Sequence, residues 1–311
     1  MSGKAGKGPA VTGHRIQKTR VAFIPGLPLV SRCHPLLREL ADSLFAVVFP
    51  TSCSICSVEV DSASGLGVCR ECWSKVEAWQ GIACERCGLP IVSERAADSA
   101  QVLCGACRAN GTAFDLARVF GTYRGNLRLL ILQLKFHRRE RLGRRLGALL
   151  ESSWKKFGMT SGDGSSVIVP VPLFRSRERA RGFNQARLLA EGLRHELAKL
   201  PDWKTVRIEN GALIRTRATL PQAGLRFQSR QENVRNAFAV VKPESVRGLR
   251  VVLVDDVMTT GATLSACATA LKKGGASGVF ALALARATPQ FPDTESLPQA
   301  TVVDEFNRDW T

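Results

Sequence analysis

The chain has 311 residues, 45% of them hydrophobic, enough for one substantial core with one or two smaller modules attached. Lysine and arginine number 44 against 27 acidic residues, a net charge of +17 that points to nucleic acid or phosphorylated metabolites as partners. No apolar run approaches the roughly 18 residues of a membrane helix, so a spanning segment is excluded and a soluble chain is expected.

In chain order, Lys4, Lys7, Arg15, Lys18 and Arg20 precede the apolar stretch VAFIPGLPLV. Pro25, Gly26 and Pro28 interrupt that stretch, so residues 1–36 read as a flexible basic arm rather than a signal peptide, and a cytoplasmic protein is expected. Residues 37–112 are expected to hold an N-terminal helix and a double zinc ribbon. Eight of the ten cysteines form four CxxC pairs: Cys53/Cys56, Cys69/Cys72, Cys84/Cys87 and Cys104/Cys107. A CxxC turn aims two thiolates at one point, and two such turns supply the four soft ligands of tetrahedral zinc, so two structural zinc ions are expected. Gaps of 12, 11 and 16 residues fit sequential pairing, but spacing alone leaves a crossed pairing open. Disulfides are disfavoured in a reducing compartment.

From Tyr123 to about Phe157 the pattern is helical, with apolar stripes on either side of the basic run KFHRRERLGRR. Val167 to Val171 reads as a strand, and Pro172 to Arg181 as a basic loop at its end, where open α/β sheets meet anions. A helix from Ala186 to about Lys199 follows, with Asn184 as its cap. Leu213 to Phe238 is basic, lacks a clean period, and is too long for an ordinary connection, which makes it a candidate flap. Then come a strand (Arg250 to Val254), a helix (Thr263 to Lys273) stopped by Gly274 and Gly275, and a strand (Gly278 to Ala285). This alternation spells an α/β fold with a parallel sheet over residues 113–287, and residues 288–311 read as a disordered, acidic tail.

The stretch VVLVDDVMTTGAT holds a pocket. A strand feeding a helix through a small turn presents backbone N–H groups to a phosphate, and Thr259, Thr260, Gly261, Ala262 and Thr263 supply close approach and hydroxyl donors. Two carboxylates would repel that phosphate unless they hold something else. A ribose 5-phosphate resolves the conflict: its 2′ and 3′ hydroxyls donate to Asp255 and Asp256 while the phosphate stays a ring-width away.

This segment resembles the 5-phosphoribosyl-1-pyrophosphate (PRPP) signature of type I phosphoribosyltransferases. The wider order of FPTSCSIC, four CxxC pairs, YRGNLRLLILQLKFHRR, VPVPLFRSRERARGFNQA, RTRATLPQAGLRFQSRQENVRNAF and the two-acid loop resembles the ComF family of competence-associated proteins, from about Leu37 to Arg286. The resemblance implies a zinc ribbon joined to a phosphoribosyltransferase-like domain that handles single-stranded DNA during natural transformation. It also implies PRPP with Mg²⁺, a pyrophosphate loop at Pro172 to Arg175 with Arg181 and Asn184 nearby, and Lys135, Arg175 and Arg215 as candidate supports for the departing pyrophosphate. Three functions stay open at this point: phosphoribosyl transfer to an unidentified acceptor, binding of a nucleotide phosphate or single-stranded DNA without transfer, and a zinc-dependent scaffold for DNA-processing proteins.

Overall fold

The computed structural model describes residues 51–60, 66–91, 101–137, 139–160, 165–218, 234 and 236–288. The basic arm, the helix expected from residue 37, the middle of the flap and nearly all of the tail lie outside the described residues.

The ribbon segment contributes two short strands, β1 (Thr51–Ser52) and β2 (Glu59–Val60), and two short helices, α1 (Arg70–Ser74) and α2 (Gly105–Asn110). Each helix begins at a cysteine of a CxxC pair, Cys69 for α1 and Cys104 for α2. A five-stranded sheet follows, built from β3 (Leu116–Thr122), β4 (Ser166–Pro170), β5 (Arg207–Ile208), β8 (Arg250–Met258) and β9 (Gly278–Arg286). The strand order is β3-β9-β8-β4-β5 and every pairing is parallel. A parallel sheet must be covered on both faces, which explains why its strands read as near-continuous apolar runs.

Successive side chains alternate between the faces. Val251 and Leu253 enter one core with Leu264, Cys267 and Leu271 of α8 (Ala262–Lys273). Val252 and Val254 enter the other, with α3 (Gly125–Phe136), α4 (Glu140–Ala148), α5 (Leu150–Lys155) and α7 (Gln185–Leu197). On α3, Leu127, Leu130, Ile131 and Leu134 are all buried, each worth about 1.5–3 kcal/mol of transfer energy.

The stretch expected to be helical from Tyr123 to about Phe157 is three helices. His137 leaves helical backbone at the end of α3, so the basic run straddles a corner rather than continuing one face. Helices α4 and α7 cross with their backbones in contact: a Cβ on Gly147 would lie 2.2 Å from the Leu189 carbonyl oxygen, and one on Gly192 would lie 2.0 Å from that of Arg144. The ends of the expected flap pair as an antiparallel hairpin, β6 (Leu213–Arg215) with β7 (Phe238–Val240). The basic loop from Pro172 to Arg181 folds in large part as the helix α6 (Arg175–Arg181). Two strands run further than expected, β8 to Met258 and β9 to Arg286, because their polar ends still pair with neighbours.

The ribbons pack into both cores. Cys53 and Cys72 belong to the α3 side, and Cys84, Cys87, Cys104 and Cys107 to the α8 side. Along the exposed edge of β3, Ala117 donates to the Arg86 carbonyl at 2.7 Å and Trp79 donates to that of Phe120 at 2.7 Å, so the ribbon segment covers an edge strand that would otherwise invite pairing.

Candidate functional site

Strand β4 is followed by α6 and α7 and leads outward to β5, whereas β8 is followed by α8 and leads the opposite way to β9. Neighbouring parallel strands whose connections diverge open a crevice at their carboxyl ends, the usual ligand position in such sheets. The last rung between them is Val171 donating to the Val254 carbonyl at 2.9 Å. Asp255 and Asp256 come immediately after it.

The two carboxylates therefore sit inside the extended strand rather than in a turn, on successive residues whose side chains leave the strand in alternate directions yet stay close enough to interact. Asp256 follows Val252 and Val254 toward α3, where its Oδ2 lies 2.8 Å from Lys135 Nζ, and only 4% of the residue is exposed. Asp255 follows Val251 and Leu253 toward α8; its electrostatic neighbours include Cys267 and Arg215. Burial, then the neighbouring Asp256 charge, pushes the Asp255 carboxyl up to about 8, against the pull of Lys135. Burial works against the charged form of Lys135, but Asp256 outweighs it and leaves the ammonium above its usual range. In each case the adjoining backbone N–H donates to the carboxylate, Asp256 to Asp255 Oδ1 at 2.9 Å and Val257 to Asp256 Oδ1 at 2.7 Å.

The loop from Thr259 to Thr263 forms the start of α8, with Gly261 as its N-cap in left-handed backbone at φ 81°. A side chain there would be strained and would meet Met258 Cε at 2.8 Å, so glycine is required. Thr260 Oγ1 accepts from Ala262 N at 3.3 Å, and the first intrahelical bond of the turn is Ser265 N to the Gly261 carbonyl at 2.8 Å. The helix begins one residue earlier than its sequence pattern indicates.

The cations divide between the two faces. Arg181 senses Asp256, stacks 5.9 Å from the Phe136 ring and donates to Gln185 Oε1 at 2.6 Å. Arg215 senses Asp255, with Arg177 of α6 also close, and lies 5.4 Å over Phe238. Burial lowers the pKa of both guanidinium groups. Arg175 stands exposed at the first position of α6. Asn184 is the α7 cap, as expected: its Oδ1 accepts from Ala186 N at 3.0 Å, and its Nδ2 donates to the Val171 carbonyl at 3.0 Å. Both polar ends of Asn184 therefore bond to backbone at the start of α7.

The pairing of the cysteines is sequential. Cys53, Cys56, Cys69 and Cys72 form one cluster and Cys84, Cys87, Cys104 and Cys107 the other, with the four sulfurs of each within 4.8 Å of one another. Cys56 and Cys69 sulfurs are 3.6 Å apart, and those of Cys87 and Cys104 are 3.7 Å apart. Tetrahedral zinc with bonds of about 2.3 Å needs sulfurs about 3.8 Å apart, so both sets fit the ion. Burial pushes the Cys107 thiol up to about 12, while neighbours led by Cys87 hold Cys84 down to about 4; four thiolates crowd together only when a cation offsets their repulsion. The two clusters are structural zinc sites, their four positions filled by protein.

Residues 44–109 match the double zinc ribbon domain family, and residues 208–307 match the phosphoribosyl transferase domain family. The chain is 33% identical over 238 residues to DNA utilization protein YhgH of Escherichia coli K12, covering 76% of this chain and 97% of that protein. It is 31% identical over 225 residues to Competence protein F of Haemophilus influenzae, covering 71% of this chain and 91% of that one. The chain belongs to the ComF family. Within that family, Competence protein ComFC of Bacillus subtilis shares 28% identity over 234 residues, 70% of this chain and 84% of its own. Among solved structures, a glutamine PRPP amidotransferase from B. subtilis aligns over 47% of this chain and 26% of its own at 20% identity with a TM-score of 0.29, too distant to bear on the ComF assignment.

Three residues at this ComF site escape sequence reasoning. Arg177 is hidden within an arginine run, and Phe136, 44% exposed beside Lys135, looks like the last apolar residue of a stripe. Arg286 falls one residue past the strand expected to end at Ala285. It is instead the last residue of β9, 5% exposed and paired in register with Met258 and Thr122. The signal for it was present: a charged residue directly continuing an apolar strand that needs a partner on each side. Among the described residues, no helix is long and apolar enough to cross a membrane.

Proposed function

We propose that the crevice binds a phosphorylated ribose, either PRPP carried with Mg²⁺ or a ribose 5-phosphate moiety, and that this ComF protein contacts single-stranded DNA in the cytoplasm during natural transformation. The observation that carries the reading is electrostatic. A crevice holding two aspartates would repel an anion, yet burial and the neighbouring Asp256 push the Asp255 carboxyl well above the ordinary carboxylate range, which weakens its charge, and Asp256 is paired with Lys135 at 2.8 Å. The site is receptive to phosphate while keeping two oxygen-rich side chains for sugar hydroxyls.

On this reading the 5-phosphate lies against the loop from Thr259 to Thr263. The pyrophosphate end faces Lys135, Arg181, Arg175 and, from the hairpin, Arg215. An incoming pyrophosphate competes with Asp256 for Lys135, and the released carboxylate turns to the ribose. Mg²⁺ carried with PRPP would offset the charge of the substrate phosphates. If transfer occurs, the cations support the departing pyrophosphate.

One observation favours a second reading, binding without transfer. The Lys135–Asp256 pair ties a ribose-side carboxylate to a pyrophosphate-side lysine. Partner DNA-processing proteins then read the bound state through the zinc ribbons, and the protein acts as a scaffold.

Calorimetric titration with PRPP and Mg²⁺, then with single-stranded DNA, alone and in competition, tests the proposal on the wild type and on Asp255→Ala/Asp256→Ala. PRPP binding lost in the double variant with DNA binding intact supports two sites; absence of PRPP binding in the wild type removes the phosphoribosyl reading. Pyrophosphate release on adding candidate acceptors separates transfer from binding alone.

A further inference from the structure

Beyond the loop from Thr259 to Thr263, a cavity of about 390 Å³ opens between that loop and the second zinc cluster. Thr259, Thr260 and Gly261 line it together with Cys87, Cys107 and Arg286. Arg286 is held there by backbone on both sides, through Met258 of β8 and Thr122 of β3, and is 95% buried by its 5% exposure. Its Nη2 lies 3.9 Å from Cys87 Sγ, which also lines the cavity, and its Nε and Nη1 are buried without a hydrogen-bonding partner. Buried donors of a guanidinium group are costly to leave unsatisfied. On the same cavity, the start of α8 offers the N–H groups of its first turn beyond Ala262 and the hydroxyls of two threonines, an arrangement suited to a tetrahedral oxyanion.

We infer that Arg286 is an anion-binding residue, gripping a terminal phosphate monoester together with the α8 turn, and that the second zinc cluster forms the wall that positions it. Cys87 of the cluster holds one end of the guanidinium, and the ligand takes the other. This rests on the phosphoribosyl reading for the identity of the ligand, since a phosphate monoester is carried equally by ribose 5-phosphate and by a 5′-phosphorylated DNA end. It gives the ribbon a direct part in ligand binding, in addition to its part in folding.

The test uses full-length, zinc-loaded protein as wild type, Arg286→Met and Arg286→Lys, with zinc content measured on each. Titrants are ribose 5-phosphate, ribose, inorganic phosphate, and a short single-stranded oligonucleotide with and without a 5′-phosphate. The expected result is a loss of at least tenfold in affinity for ribose 5-phosphate in Arg286→Met, a smaller loss in Arg286→Lys, and two zinc ions per chain throughout. A 5′-phosphate preference that depends on Arg286, without ribose 5-phosphate binding, keeps the anion site and assigns it to DNA ends, at the expense of the phosphoribosyl reading. Unchanged phosphate affinity in a zinc-replete Arg286→Met protein overturns the inference while leaving that reading intact, and shows the guanidinium to serve the thiolates alone. Failure of the wild type to bind any phosphorylated titrant overturns both. Should Arg286→Met not fold, wild-type protein labelled with ¹⁵N-arginine decides: one side-chain Nε–H resonance, missing in Arg286→Lys, must move on adding phosphate, and a static resonance counts against the site.

Discussion

Lys135 Nζ stands 2.8 Å from Asp256 Oδ2, joining the last turn of α3 to the strand that carries both acids. Both side chains are largely buried, so the pair is poorly screened by solvent and salt. Replacing Lys135 by methionine removes one charge and strands the other in the core. We expect a loss of about 3–5 kcal/mol in unfolding free energy, most of it recovered when Asp256→Asn is added. Urea unfolding of the two single variants and the double variant measures the coupling. A Lys135→Met protein as stable as the wild type would show the pair to be open to water.

Asp255 makes stability depend on pH in an unusual direction. Its folded carboxyl titrates near 8, well above the ordinary carboxylate value, so between about pH 4 and pH 8 the folded state keeps a proton that the unfolded chain has released. Stability is then fully present below about pH 4, falls as pH rises through that window, and levels off above 8. Asp255→Asn, an imitation of the protonated acid, should flatten this contribution. Comparing denaturation midpoints of the two proteins at pH 5, 7 and 8.5 checks the sign.

Each zinc cluster packs into one of the two cores, so neither ion should be removable without loss of structure. Elemental analysis is expected to find two zinc ions per chain. Cys84→Ser should bind one and lose about 4 kcal/mol or more, seen as a large drop in melting temperature. A chelator should unfold the sheet along with the ribbons, and circular dichroism that keeps its α/β signature after demetallation would contradict this.

Gly147 offers a test in which two effects oppose. In an exposed helix, alanine in place of glycine gains about 1 kcal/mol of propensity. At the α4–α7 crossing, the new Cβ would meet backbone at 2.2 Å, and forcing the helices apart costs about 3 kcal/mol. Gly147→Ala should therefore destabilise by about 2 kcal/mol net, and thermal unfolding showing stabilisation would disprove the close crossing.

What the sequence determined alone is the local chemistry: the CxxC turns, the apolar strands, and the run of two acids leading into a hydroxyl-rich turn. These features depend on residues within a few positions of one another, and periodicity or spacing reports them directly. Strand β3 was not among the readable elements, because LARVFGT has neither a clean alternation nor a continuous apolar run, and only its parallel pairing with β9 defines it. The divergence of Asp255 and Asp256 follows from the two-residue period once the strand is known to continue to Met258, but that extension depends on β9 lying alongside. The Lys135–Asp256 pair, the sequential grouping of the cysteines, and the burial of Arg286 beside the second cluster were decided only by tertiary structure. Each joins residues far apart in the chain, and which distant groups meet is set by how the two faces of one sheet are covered, a property of the whole packed molecule that no short window of sequence contains.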